Sequence, residues 1–407
     1  KQLWSPVQIM NTSIDKQFDG KFSVENRYDY LNLNTCRFLW KQVKFPTATD
    51  TSNTTTQVLK EGEVQGSDVA AHSTGILDIK TTILPNADAL FLTAIDKYGH
   101  ELWRWTFPVD KLNQTNEVFS PLSGKATYSE TENELTVKAK NHTFIFSKRD
   151  GQLKGVSVNN HKISFANGPR FIGARRADRS LDQFYDHDDE KAKEKDRTYS
   201  EFPDAAVFTK LEVKEDGGNL IVTANYKLGN LDKAQWTINP NGEAALDYTY
   251  NFSGVVDLIG ISFDYPEDQV ISKRWLGAGP YRVWQNRIHG TQYDVWENDY
   301  NDPIPGETFT YPEFKGYFDS VSWMNIRTKE GTISLTNETP DSYIGVYQPR
   351  DGRDRLLYTL PESGISVLDV IPPVRNKVNS TDLCGPSSQP KWVNGPQTGR
   401  IIFRFME

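Results

Sequence analysis

The chain has 407 residues, 46 of them basic and 54 acidic, for a net charge of −8. That balance lacks the basic footprint of a nucleic-acid binder, and no apolar run approaches the ~18 residues needed to cross a bilayer. The length exceeds one ordinary core and asks for two or three domains.

In chain order, Lys1-Gln2-Leu3-Trp4-Ser5-Pro6 shows neither an initiator Met nor a signal-peptide pattern and reads as a cut inside a longer chain. Residues 1–110 read as one β-sandwich of immunoglobulin-like length. Its expected strands are Val24–Tyr28, Arg37–Trp40, Asp78–Lys80 and Ala89–Ala94, and the polar, Thr-rich stretch 46–58 reads as a loop or an edge. Residues 111–123 lack strand patterning and read as a linker. Residues 124–407 read as one large sandwich. Leu135–Ala139, Thr143–Phe146, Leu220–Tyr226 and Leu246–Phe252 alternate apolar and polar residues with period two, the mark of half-buried strands. Asp150-Gly151, Asp216-Gly217-Gly218, Asn241-Gly242 and Glu330-Gly331 supply turns between such runs. No long amphipathic helix is visible, so the fold class is all-β. The charged run 186–197 reads as a solvated loop or short surface helix. A structural cation on Asp186, Asp188 and Asp189 is the alternative, without the spacing of a calcium loop.

Chemistry is sparse. Cys36 and Cys384 have no metal or redox spacing, and six His without paired spacing give no zinc signature. No metal or cofactor is expected. A retaining glycosidase needs two carboxylates about 5.5 Å apart, but Asn116-Glu117, Asn133-Glu134 and Asn337-Glu338 all read as linker or turn residues. No run of alternating strands and helices long enough for a TIM barrel is present. Trp275, Tyr281, Trp284 and Arg287 form a set that could bind sugar, with ring faces for stacking and a guanidinium for hydroxyls. Arg175 and Arg176 are candidates for the same cleft, and His289 lies beside it.

Trp275-Leu276-Gly277-Ala278-Gly279-Pro280-Tyr281, followed by Asn286-Arg287, Gly290 and Tyr293, resembles a motif in the last domain of family 2 β-galactosidases. Tyr311-Pro312-Glu313-Phe314-Lys315-Gly316, Val321-Ser322-Trp323, Gly168-Pro169-Arg170 and Arg176-Ala177 resemble further segments of that family, in the family's order. The run from Gly20 to Tyr30, followed by Trp40, is similar to its preceding immunoglobulin-like domain.

The resemblance implies an immunoglobulin-like sandwich followed by a supersandwich shared with galactose mutarotases. It also implies a separate TIM barrel that carries the catalytic Glu pair. On that reading the chain is a non-catalytic C-terminal part of a glycoside hydrolase. Its partners are carbohydrate and the barrel, and a periplasmic or extracellular address fits a polysaccharide-degrading parent. An independent carbohydrate-binding module, an epimerase using His289, or a lyase using Tyr281 and Arg287 are the alternatives. Three positions depart from the family pattern: Ala278 for an Arg, Arg282 for a Glu, and Ser388 for a Trp. They suggest a substrate other than plain lactose.

Overall fold

The computed structural model describes residues 2–50, 54–109, 124–176, 199–299, 316–339, 341–347, 363–373 and 385–407. Asp186, Asp188, Asp189, Cys384, the pair Asn116-Glu117 and the stretch Tyr311–Lys315 lie outside the described residues, as does the expected linker. Among the described residues there is no α-helix, only short 3-10 turns, and no helix long and apolar enough to cross a membrane.

The strands in chain order begin with β1 (Val7–Ile9), β2 (Lys21–Asn26), β3 (Arg37–Lys44), β4 (Gln57–Gln65), β5 (Ser73–Asp78), β6 (Ala89–Ile95) and β7 (Glu101–Pro108). There follow β8 (Thr127–Glu130), β9 (Glu134–Ala139), β10 (His142–Ser147), β11 (Leu153–Val158), β12 (His161–Ile163), β13 (Ala166–Arg176) and β14 (Tyr199–Glu201). Next come β15 (Val207–Asp216), β16 (Asn219–Lys227), β17 (Leu231–Ile238), β18 (Ala244–Asn251), β19 (Gly254–Val256), β20 (Leu258–Asp264), β21 (Val270–Gly279) and β22 (Gln292–Asp299). The last are β23 (Phe318–Asp319), β24 (Trp323–Thr328), β25 (Gly331–Asn337), β26 (Tyr343–Val346), β27 (Ile365–Val370), β28 (Lys391–Val393) and β29 (Pro396–Met406).

The chain forms two compact units. The first is Lys1–Glu117 with the later segments Leu276–Gly279 and His289–Trp296; the second is Val118–Trp275, Pro280–Ile288 and Glu297–Glu407.

In the first unit, β1-β2-β5 and β4-β3-β6-β7 are two antiparallel sheets. Alternation builds its core: in β2 the side chains of Phe22 and Val24 are buried while Lys21 and Ser23 face water. Phe38, Trp40, Leu77, Leu90, Leu92 and Phe107 complete that core. The strand expected at Asp78–Lys80 ends at Asp78 instead. Lys80 adopts a left-handed φ of 55°, and its N–H donates to Asp78 Oδ1 at 2.8 Å, a local side-chain turn that stops the ladder. The stretch 46–58, expected as a loop or an edge, gives way at Gln57 to the edge strand β4, whose side chains are largely exposed. Asp294 belongs to this unit as well: it accepts from Thr56 Oγ1 at 2.9 Å and from Arg104 Nη2 at 3.0 Å.

The second unit contains an eleven-stranded sheet with the main path β23-β26-β27-β20-β13-β11-β10-β9-β8. Another sheet runs β15-β16-β17-β18-β29-β25-β24-β21. Phe263 of the first sheet meets Phe403 and Trp236 of the second, with centroids 5.4 and 6.0 Å apart, and Phe165 packs on Phe263 at 4.7 Å. This aromatic layer is the fate of part of the Phe and Trp content. The four alternating runs named above all fall on strands: β9, β10, β16 and β18. β29 pairs with β18 along one edge and with β25 along the other.

Candidate functional site

Strand β21 leads into the turn that carries most of the candidate residues. Trp275 is 0% exposed and meets Phe318 edge-on at 4.9 Å. Beside it, buried Lys273 lies 5.9 Å from the Phe318 ring centroid, and buried Arg274 lies 5.3 Å from that of Trp323. Two charged side chains on the flank of a core Trp are held by their stems and by ring faces.

The turn itself is pinned from several directions. Val283 and Tyr317 exchange both backbone bonds, at 2.7 and 2.8 Å. Gly316 permits this approach, because a Cβ there would sit 1.9 Å from the Val283 carbonyl oxygen. Arg287 N–H donates to the Trp284 carbonyl at 2.8 Å, closing the turn, and Gln285 N–H donates to the Pro372 carbonyl at 3.1 Å. Gln285 Nε2 donates to the Gln389 carbonyl at 2.8 Å, and Asn286 Nδ2 donates to Ser388 Oγ at 3.2 Å. Trp284, 0% exposed and edge-on to Tyr317 at 5.8 Å, packs into a cluster with Ile172, Ala174, Leu258 and Ile371 on the face of the eleven-stranded sheet.

The candidate residues therefore separate. Trp275 and Trp284 anchor the turn from inside, while Tyr281 is 40% exposed and Arg287 is exposed at its surface. His289 is exposed too, in the segment that clusters with the first unit. Arg175 is half-buried in β13; Arg176 follows it there, with its side chain outside the described residues. Ala278 and Arg282 are buried. So is Ser388, which accepts from the turn. Just beyond it, Trp392 on β28 is 70% exposed.

The two Asn-Glu pairs among the described residues serve structure. Asn133 Oδ1 accepts from the Arg149 guanidinium, and Glu338 pairs with Arg400 at 2.9 Å. Cys36 is buried, with its sulfur 3.9 Å from the Tyr28 hydroxyl, and burial pushes its thiol pKa up. Among the described residues no cluster of three or more His, Cys, Asp or Glu is arranged to hold a metal ion.

A family model described as beta galactosidase small chain matches residues 138–361. No curated protein matches the chain. Among solved structures the chain is similar to YeaD of Salmonella typhimurium, a candidate mutarotase, with 9% identity and a TM-score of 0.30 over 72% of this chain and 99% of that one. It is similar to HI1317 with 8% identity and a TM-score of 0.31, over 69% of this chain and 99% of that one. It is also similar to a copper-containing benzylamine oxidase from Hansenula polymorpha, with 7% identity and a TM-score of 0.28 over 98% of this chain and 77% of that one.

Proposed function

The chain belongs to the β-galactosidase small-chain family, and from that premise we propose that it is the non-catalytic C-terminal part of a family 2 glycoside hydrolase. In this reading it backs a TIM-barrel catalytic domain and lends the carbohydrate site part of its rim. One observation carries the proposal: the motif turn is anchored by buried Trp284 and yet presents Tyr281 and Arg287 outward. An anchored turn with an outward ring and guanidinium suits a sugar, because the ring face stacks and the planar donors meet hydroxyls without needing to be ordered on binding. Trp392 adds a second exposed ring on the segment that follows Ser388.

The reading is tested with a panel of nitrophenyl glycosides, offered to this chain alone and to the full-length polypeptide that contains it. No turnover is expected from this chain alone, and turnover is expected once a barrel is present. Tyr281→Ala and Trp392→Ala in the longer polypeptide should raise KM with little change in kcat, the signature of lost binding that ground and transition states share. Hydrolysis by this chain alone would overturn the proposal. The sugar preference of the longer polypeptide also tests the substitutions at Ala278, Arg282 and Ser388, since a clear preference for β-galactoside would count against a different substrate.

A second reading, a carbohydrate-binding module that acts by itself, is favoured by the same exposed rings. Glycan-array binding by this chain, abolished by Trp392→Ala, would support it.

A further inference from the structure

A cavity of about 400 Å³ lies in the second unit, where β13 begins and β20 ends. Its walls include Asn167, Arg170, Asp264, Tyr265, Glu267 and Tyr347. The strand pairing explains why these side chains converge. Ala166 opposes Asp264 and Arg170 opposes Ser262, so the register of β13 slips between Ala166 and Arg170 and leaves an irregular stretch there. Asn167 takes a left-handed φ of 52° within it. Both flanking side chains then reach the same carboxylate: Asn167 Nδ2 donates to Asp264 Oδ2 at 2.8 Å, and the Arg170 guanidinium pairs with Asp264 Oδ1. Lys154 Nζ steadies Asn167 Oδ1 at 3.3 Å.

The two rings are fixed through their hydroxyls. Tyr347 Oη donates to the Tyr265 carbonyl at 2.8 Å, and Tyr265 Oη donates to the Glu330 carboxylate at 2.9 Å. The same carboxylate accepts from Ser164 N–H at 2.9 Å and from Ser164 Oγ at 2.7 Å, which ties the β24–β25 hairpin to the cavity wall.

These walls suit one class of ligand. Planar amide, carboxylate and guanidinium groups held in fixed positions recognise hydroxyls in pairs. The lining carries one basic and two acidic side chains, which opposes an anion. An apolar ligand would have to strip water from an ion pair. The volume lies within the range of small-molecule sites. The geometry points to a second carbohydrate site in this chain, one for a neutral monosaccharide.

The site is separate from the motif turn. Trp284 packs beside Leu258, at the opposite end of β20 from Asp264, and six residue steps at about 3.3 Å put the two ends about 20 Å apart. Its existence does not depend on the catalytic partner proposed above.

Calorimetric titration of the 407-residue chain with galactose, glucose, arabinose and galacturonate tests it. Saturable binding of at least one neutral sugar is expected, tighter than that of galacturonate. Arg170→Lys, which removes the guanidinium fork, should weaken it about tenfold or more, as loss of about 1.4 kcal/mol dictates. Ser363→Trp blocks the cavity without touching the ion pair and serves where Arg170→Lys melts early. Tyr98→Ala, which alters an exposed ring of the first unit, should leave this binding unchanged. Absence of saturable binding, stronger binding of galacturonate, or indifference to both cavity variants would overturn the site. Loss of binding in Trp392→Ala alone would overturn it too, and would assign the sugar to the motif turn instead.

Discussion

The Tyr250 hydroxyl donates to the Asp369 carboxylate, joining β18 of one sheet to β27 of the other through the interior of the second unit. The contact begins as an irregularity. Ile259 opposes Val370 while Gly260 opposes Leu368, so Asp369 is left without a partner in the β20 ladder. An extra residue in one strand re-aims its side chain, and here it reaches the ring of a fully buried Tyr.

This pair should make stability depend on pH. Burial raises the Asp369 pKa, only partly offset by the hydrogen bond from Tyr250, and burial together with the nearby Asp369 charge pushes the Tyr250 phenol up. A carboxyl whose folded pKa lies above its unfolded value of about 3.9 adds stability below that value and loses it as pH rises through the folded pKa. Asp369→Asn keeps an acceptor for Tyr250 without the charge. Its Tm should therefore gain on that of the unmodified chain as pH rises above about 4. A Tm difference that does not change with pH would refute the assignment.

Two tryptophans should respond to very different extents. Trp284→Ala empties a filled core position and should cost about 3–5 kcal/mol. Trp392→Ala alters a ring that is 70% exposed and should shift stability by no more than about 0.5 kcal/mol. Denaturant titration of both variants measures the contrast, and equal losses would mean that Trp392 is a packing residue.

Glu330 accepts three hydrogen bonds from Ser164 and Tyr265. Bonds to a charged acceptor are worth more than neutral ones, so Glu330→Ala should cost about 3 kcal/mol, and Glu330→Gln less. The loss should be accompanied by faster amide exchange at Ser164, whose N–H is one of the donors. Unchanged exchange there would show that the hairpin is held by other contacts.

The bond from Asn286 to Ser388 joins segments 102 residues apart. Ser388→Ala should cost about 1 kcal/mol, and in a double-mutant cycle with Asn286→Ala the two losses should be less than additive. Strict additivity would mean that the bond carries no energy of its own.

Strands were the legible part of the sequence where one face was clearly apolar, as in β9 and β16 with Leu135, Val137, Leu220 and Val222 turned inward. β4 was not legible, because an exposed edge strand that reads Lys60-Glu61-Gly62-Glu63 has no apolar face to announce it. Around the motif, the residue types were visible but their directions were not. Trp275 and Tyr281 look equally fit for stacking on a sugar, and only the burial of one separates them. Lys273 and Arg274 pointed the wrong way, since two adjacent charges usually mark a solvated surface and here they are buried against rings. The cavity had no local signal at all. Arg170, Asp264 and Tyr347 come together only through the register of distant strands.

The place of β29 has a consequence for the birth of the protein. β18 and β25 are neighbours in the sheet only through it, so a growing polypeptide that has not yet made Pro396–Met406 holds two half-sheets, each with an unsatisfied edge. Such edges are templates for pairing with other chains. The interval between synthesis of β25 and synthesis of β29 is therefore when the nascent polypeptide is most exposed to misassembly and has most to gain from a chaperone.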